Sequence, residues 1–191
     1  MGRPKLLLPH QGQALVLHTL DAWRQSNVDE VVIVVRADDQ PLAELAHSVG
    51  ANVVIPNIAP PDMKASIRAA LAWLGANRNP SPDDCFLIAP ADMPTLSAAV
   101  INELIAAHAI ATNEILAPTL GGHRGHPVLF PWPFAVEVDQ LRDDEGVNAI
   151  LSRHAPQLVP CDHLIHANSD PFLDIDTPDD YERLRRGEDS L

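Results

Sequence analysis

A lone carboxylate at the end of an apolar run is the first group in this sequence that could do chemistry. Residues 86–89 (Phe-Leu-Ile-Ala) lead through Pro-Ala to Asp92, and Pro94 breaks the chain before a helical pattern begins near Ser97. This pattern predicts a buried strand with Asp92 at its C-terminal end, the edge at which open α/β sheets bind ligands. Because Mg²⁺ prefers one or two carboxylates with water and phosphate oxygens, Asp92 is a candidate Mg²⁺ ligand. A loop or helix-cap role fits Asp92 alone equally well, since aspartate is common at turns.

Two further charged residues have positions that suit phosphate or metal binding. Asp176 follows the apolar run 172–175, and it could share one Mg²⁺ with Asp92 if their two strands are neighbours. The following Thr-Pro pair also favours a helix N-cap role for Asp176. Lys5 is one of only two lysines and could reach phosphates as a point charge, although an ordinary surface position explains it as well.

A glycine- and histidine-rich loop, residues 121–127, offers groups for an anionic ligand. It contains Arg124 and His126 among glycines that would allow a close backbone approach. A flexible hairpin is the alternative interpretation of its three glycines, but that alternative does not require His126.

The elements that must position these residues alternate between strand and helix. Continuous β-branched runs such as residues 31–35 are typical of strands buried on both faces of a parallel sheet. Periodic apolar residues predict helices between them, and Gly50 and Asp62 are candidate stop and cap residues. The alternation predicts a three-layer α/β fold with a mostly parallel sheet. We expect one domain over residues 1–191, with a polar tail at 185–191.

Composition excludes several classes of function. The formal net charge of −13 argues against non-specific nucleic-acid binding, although a nucleotide held by a metal ion remains a possible substrate. No apolar run approaches the length of a membrane span, so we expect no membrane contact and a cytoplasmic location. The spacing of Cys85 and Cys161 matches neither a zinc site nor a redox pair, which favours small core residues.

Four motifs, in order along nearly the whole chain, resemble one family. They are Met-Gly-Arg-Pro-Lys-Leu-Leu-Leu-Pro at 1–9, Asp-Met-Pro at 92–94, Gly-His-Pro-Val-Leu-Phe at 125–130 and Asp-Ile-Asp-Thr-Pro-Asp-Asp-Tyr at 174–181. The chain resembles MobA-like nucleotidyltransferases, most of all molybdenum cofactor cytidylyltransferases. The resemblance implies a Rossmann-like nucleotide-diphospho-sugar transferase fold. It also implies Mg²⁺-dependent transfer of CMP from CTP to molybdopterin, with release of pyrophosphate.

The resemblance also implies roles for individual residues. The triphosphate would contact Lys5 and Arg3, and the metal would be held by Asp92 with Asp176 as its second ligand. Arg124 and His126 would face the acceptor. The part of the family that lies near the base corresponds to Asn57, Met63 and Ser66.

The chain departs from the family pattern at its beginning. Family members usually have a buried strand and a glycine-rich phosphate loop before the Met-Gly-x-Pro-Lys stretch, and here the sequence starts at that methionine. We expect a start codon that was assigned too far downstream, because Lys5 and the acidic metal-site candidates are retained. Without this central strand, the edges of its two neighbouring strands would be exposed.

Two single residues also depart from the family pattern. Asp62 and Ala70 stand where the family tends to have glycines, so the resemblance leaves base and substrate preference open.

Two other functions compete with CMP transfer from CTP. Use of GTP or of another phosphorylated acceptor is the first, and Met93 argues weakly against GTP because guanylyl-transferring relatives tend to carry threonine there. The second is a non-catalytic protein that binds molybdopterin, for instance as a chaperone of a molybdoenzyme. The missing phosphate loop favours this second alternative, whereas the retained charged residues oppose it.

Overall fold

A computed structural model of the chain describes residues 4–164 and 177–186. The strands are β1 (Pro9–His10), β2 (Gln13–Ala14), β3 (Val32–Val34), β4 (Asn52–Val54), β5 (Cys85–Ile88), β6 (Leu116–Leu120), β7 (His123–Arg124), β8 (Val128–Pro131) and β9 (Gln157–Pro160). The α-helices are α1 (Leu15–Gln25), α2 (Gln40–Ser48), α3 (Met63–Arg78), α4 (Ala98–His108), α5 (Ala135–Asp139), α6 (Asn148–Arg153) and α7 (Pro178–Arg186). Three short 3₁₀ turns cover Lys5–Leu7, Trp132–Phe134 and Asp162–Leu164. The predicted strand at residues 172–175 lies outside the described residues.

The strands form a parallel pair and a larger mixed sheet, besides the small β1–β2 hairpin. β3 pairs with β4 in parallel, and the larger sheet has the order β5-β8-β6-β7 with β9 parallel to β6. β8 is antiparallel to both β5 and β6. For β6 the reason is that a strand that returns through the short connection at 121–127 cannot make the crossover that parallel pairing needs. The α/β class is confirmed, and parallel pairing holds for β3–β4 and β6–β9.

Helices cover both faces of this sheet, which confirms the layered arrangement. Phe86 packs in the same apolar cluster as Leu71 of α3. The next strand residue, Leu87, packs instead against the cluster that includes Trp23 of α1. Because successive strand residues point to opposite faces, α1 and α3 lie on opposite sides of β5.

The ends of the helices show the cap chemistry expected from the sequence. The Asp62 side chain accepts a hydrogen bond from the Ala65 amide at 2.7 Å, which caps α3 as predicted. Gly50 follows α2 with a φ of 82°, a left-handed conformation that ends the helix there.

Two cations, the buried Lys64 and the half-buried Arg68, fix α3 against α5 and the turn between α5 and α6. The Lys64 ammonium, on a residue only 6% exposed, donates to the carbonyls of Arg142 at 2.6 Å and Asp143 at 3.1 Å. One turn further along α3, the Arg68 guanidinium donates to the carbonyls of Val138, Asp139 and Leu141. These contacts set where the N-terminal end of α3 lies.

Replacing Lys64 by methionine tests the importance of this clamp. Lys64→Met keeps the buried alkyl chain but removes the ammonium from both carbonyls, of which the Arg142 carbonyl still accepts from the Glu145 amide, so we expect the free energy of unfolding to fall by about 1–3 kcal/mol. Urea denaturation measures this loss. Arg36→Met, which removes an exposed cation paired with Asp38, is the matched control and should change stability by less than about 0.5 kcal/mol. Equal effects of the two substitutions would contradict the clamp.

Candidate functional site

The site is organised by an ion pair at the C-terminal end of β5. The Lys5 ammonium lies 2.5 Å from Asp92 Oδ2, although 87 residues separate the two in sequence. Both side chains are partly buried, with 29% and 20% of their surfaces exposed. The structure therefore brings together the two residues that the sequence singles out as candidate phosphate and metal ligands. Their catalytic roles remain predictions.

Thr19 of α1 holds the loop that carries Asp92, and sequence reasoning missed it. Its hydroxyl lies 3.1 Å from the Ala91 carbonyl and 3.0 Å from the Met93 carbonyl, the residues on either side of Asp92. Thr19 is 2% exposed. A hydroxyl on the otherwise apolar buried face of a predicted helix was the only available signal. Thr19 is therefore a positioning residue for Asp92.

A cavity of about 810 Å³ extends from the ion pair into the protein. Lys5 and Asp92 line it together with Met63 and Ser66 at the start of α3. Met63 is 62% exposed, so the cavity reaches the surface at this rim. Asn57, the third residue expected near the base, is exposed and does not contribute to the cavity wall.

The buried position of Met93 weakens the sequence argument for CTP. Met93 is 1% exposed and packs with Ala22, Leu96 and Ile101. It is absent from the cavity wall, so its side chain does not contact a base placed in the cavity. Any effect of this position on base choice would act through the neighbouring Asp92.

His126 lies near the end of β5, and neither His126 nor Arg124 lines the cavity. His126 comes two residues before Val128, which pairs with Ile88, and a cis peptide bond joins it to Pro127. Burial lowers the pKa of the His126 imidazole and the nearby Arg124 charge lowers it further, against an opposing hydrogen-bond contribution from the Ile88 backbone. Its Nδ1 is buried and has no hydrogen-bond partner. Arg124 is exposed on β7, in the hairpin that the alternative interpretation of the loop predicted.

Arg3 and Asp176 lie outside the described residues, so their predicted contacts are not tested. The residue after Asp176 is described, and it caps α7. Thr177 Oγ1 accepts from the Asp180 amide at 3.2 Å, while the Thr177 amide donates to the Asp180 carboxylate at 2.8 Å. This reciprocal pair caps α7 at Thr177. The Tyr181 hydroxyl donates to the Pro9 carbonyl, which ties the first turns of α7 to the segment after Lys5.

The donors that this site offers suit a hard cation with few protein ligands. Within residues 4–164 and 177–186, no cluster of three or more histidine, cysteine or acidic residues has the arrangement of a metal centre. A single partly exposed carboxylate such as Asp92 fits Mg²⁺, which usually keeps several waters and shares substrate phosphates. In the same part of the chain, no helix has the length and apolar character needed to cross a membrane.

Substitution of Thr19 tests how Asp92 is positioned. Thr19→Val keeps the shape but removes the hydroxyl from both carbonyls beside Asp92, although the Met93 carbonyl still accepts from the Leu96 amide, so we expect the free energy of unfolding to fall by about 1–3 kcal/mol. Thr19→Ser keeps the hydroxyl and is expected to recover most of this loss. Chemical denaturation of both variants measures the difference. If serine and valine destabilise equally, the hydroxyl contacts do not hold the loop.

The chain is similar to two characterised relatives. It is 30% identical over 134 residues to the molybdenum cofactor guanylyltransferase of Rhodopseudomonas palustris, an alignment that covers 66% of this chain and 60% of that relative. It is 29% identical over 197 aligned positions to the purine catabolism protein PucB of Bacillus subtilis, covering 97% of this chain and 90% of PucB.

Solved structures share the fold, and a family model matches most of the sequence. The crystal structure of Rv0371c from Mycobacterium tuberculosis superposes with a TM-score of 0.74 at 26% identity, over 97% of this chain and 90% of that one. A second structure of the same protein, a complex with manganese, gives a TM-score of 0.72 at 25% identity, over 96% and 91% of the two chains. Residues 1–158 match the model of the MobA-like NTP transferase domain. The chain therefore belongs to the family of MobA-like NTP transferases.

Proposed function

We propose that this protein transfers CMP from CTP to molybdopterin and releases pyrophosphate. The observation that carries the proposal is the contact of Lys5 with Asp92 at the rim of a cavity that reaches the surface. A cation for phosphates and a carboxylate for a metal ion stand side by side at the edge of the sheet where α/β proteins bind ligands. The family to which the chain belongs, the NTP transferases, supports the same reaction class.

Lys5 and Asp92 have complementary tasks in this reaction. Without nucleotide, each neutralises the other's charge, and a bound triphosphate offers Lys5 phosphate oxygens in place of the carboxylate. Asp92, with Asp176 as its proposed partner, would hold Mg²⁺, which when bound offsets charge on the phosphates. The manganese complex of the structural neighbour is consistent with a divalent ion at such a site.

The remaining residues of the proposed site bind and orient the two substrates. Met63 and Ser66, which line the cavity, are proposed to contact the base, and Asn57 is proposed to lie near it. His126 and Arg124 are proposed to contact the phosphate of the acceptor, and Arg3 to contact the triphosphate. Positioning and charge compensation do most of the work in phosphoryl-type transfer, so the reaction needs no nucleophilic side chain from the protein.

GTP is the second candidate donor, because the relative from Rhodopseudomonas palustris is named a guanylyltransferase. The buried Met93 gives CTP little direct support. A protein that binds molybdopterin without catalysis and acts on a molybdoenzyme partner is the alternative of a different class. Binding of nucleotides separates these three possibilities.

Thermal unfolding with Mg²⁺ and one nucleotide at a time tests the proposal. A nucleotide at about 100 times its dissociation constant should stabilise the folded chain by roughly 2.7 kcal/mol. We expect the largest increase in melting temperature with CTP. In Asp92→Asn the part of the increase that depends on Mg²⁺ should disappear, because the amide does not replace a carboxylate as metal ligand. Asp38→Asn, an exposed aspartate beside Arg36, is the control.

Each outcome of this experiment has a clear meaning. A larger shift with GTP would replace CTP by GTP as the donor. If no nucleotide shifts the melting temperature, or if Asp92→Asn responds as the control does, the proposed nucleotidyl transfer by these residues is contradicted and the non-catalytic alternative is favoured.

A further inference from the structure

The start of α3 carries two residues of the cavity wall, Met63 and Ser66. The chain that leads to them has little attachment to the interior, because no residue from 52 to 63 is buried. Lys64 is the first buried residue after Ala51, and within α3 only Lys64 and Leu71 are buried. The position of this part of the cavity rim therefore depends on Lys64 more than on the loop before it.

The Lys64 side chain does not itself belong to the cavity. Its ammonium lies against the carbonyls of Arg142 and Asp143, and none of these three residues lines the cavity wall. A molecule bound in the cavity would not contact the ammonium. Any effect of Lys64 on binding must therefore pass through the backbone of α3.

The first turn of α3 joins Lys64 to both wall residues. The Asp62 carboxylate accepts from the Ala65 amide, and the Asp62 carbonyl accepts from both the amide and the hydroxyl of Ser66, each at 3.3 Å. These bonds connect the residues on either side of Lys64 in one hydrogen-bonded turn. A shift of Lys64 would consequently move Met63 and Ser66 together.

The turn that receives the Lys64 ammonium is held in place by other contacts. The Glu145 carboxylate accepts from the Arg142 amide at 3.0 Å, and the Glu145 amide donates to the Arg142 carbonyl at 3.1 Å. Arg153 of α6 pairs with the same carboxylate. Leu141, just before the turn, is 4% exposed, so the turn is attached to the core. Lys64 thus connects the cavity rim to a fixed part of the protein.

A buried ammonium contributes geometry more than it contributes stability. The cost of removing a charge from water offsets much of what its contacts return, so an apolar residue of similar size often stabilises a protein as well. The ammonium, however, is satisfied only where its acceptor carbonyls lie, whereas an apolar side chain can pack in several positions. Lys64 therefore specifies one position of α3 against the turn at 142–145.

We propose that Lys64 is a positioning residue for base recognition, which holds Met63 and Ser66 in place by fixing the first turn of α3 to the turn at 142–145. The inference rests on the proposed function, in which Met63 and Ser66 contact the base. Lys5 and Asp92, the residues proposed for the triphosphate and its metal ion, are not part of this clamp. Loss of the Lys64 ammonium should therefore affect the base and spare the triphosphate.

Calorimetric titration with two ligands separates base recognition from triphosphate binding. One ligand is the nucleotide that the unchanged chain binds most tightly in the presence of Mg²⁺. The other is inorganic triphosphate with Mg²⁺, which has no base. The ratio of the two dissociation constants reports the contribution of the nucleoside, and a general loosening of the fold would weaken both ligands without changing this ratio. Circular dichroism confirms that each variant is folded at the temperature of the titration.

In Lys64→Met we expect the nucleotide to bind on the order of tenfold more weakly, because small displacements of positioning groups have effects of at least this size. Binding of inorganic triphosphate should stay unchanged. Arg68→Met is the matched control, since it removes a cation that donates to carbonyls of the neighbouring segment from one turn further along α3. It should reduce stability and leave the ratio of the two dissociation constants as it is.

Glu145→Ala tests the other side of the clamp without altering α3. The substitution removes the acceptor of the Arg142 amide and the partner of Arg153, so the turn loses part of its support. We expect the ratio to change in the same direction as in Lys64→Met. If Lys64→Met does not fold, this variant decides the question.

The outcomes distinguish this inference from the function on which it rests. An unchanged ratio in Lys64→Met and Glu145→Ala, or an equal change of the ratio in Arg68→Met, would overturn the positioning role while nucleotide binding stands. Equal weakening of nucleotide and inorganic triphosphate would overturn it as well, because it would show a structural role only. If the unchanged chain binds no nucleotide, the proposed function fails and the inference fails with it.

Discussion

The contact between the Lys5 ammonium and the Asp92 carboxylate joins the first described turn of the chain to the end of β5, across 87 residues of sequence. A partly buried charge of either sign is costly without a partner, so each residue stabilises the other. The contact also places the start of the described chain at the edge of the sheet where the cavity reaches the surface. The proposed chemistry depends on this placement.

The support around the ion pair comes mostly from helices rather than from a continuous sheet. Thr19 of α1 fixes the loop on both sides of Asp92, and Lys64 fixes the start of α3 on the opposite face. Arg78 ties the end of α3 to Glu30 at the start of β3. The β3–β4 pair is thus connected to the larger sheet through side chains at both ends of the cavity, and residues of β3 and β5 line the cavity between these ends.

Local patterns made much of the fold predictable from the sequence. The β-branched run at 31–35, the stop at Gly50 and the cap at Asp62 each depend on neighbouring residues, and the structure contains all three features. The place of Asp92 at the end of a strand followed from the same reasoning.

Other features could not be predicted from local patterns. β8 lies antiparallel between β5 and β6, and this arrangement depends on pairing between strands that are distant in sequence, which hydrophobic periodicity does not encode. Thr19 and Lys64 act on backbone carbonyls far away in sequence, so their types and spacing gave little indication of these contacts. Met93 stands next to a candidate ligand in the sequence, but its side chain is part of the core.

Binding of Mn²⁺ in the absence of nucleotide, followed by electron paramagnetic resonance, tests the pairing of Lys5 with Asp92 most directly. Lys5→Met removes the cation that competes with a metal ion for the Asp92 carboxylate. A partly exposed ion pair contributes up to about 1 kcal/mol, so we predict that Lys5→Met binds Mn²⁺ about fivefold more tightly than the unchanged chain. Asp92→Asn should abolish this binding in either background. Weaker or unchanged Mn²⁺ binding by Lys5→Met would contradict a metal site on Asp92 that Lys5 occupies in the free protein.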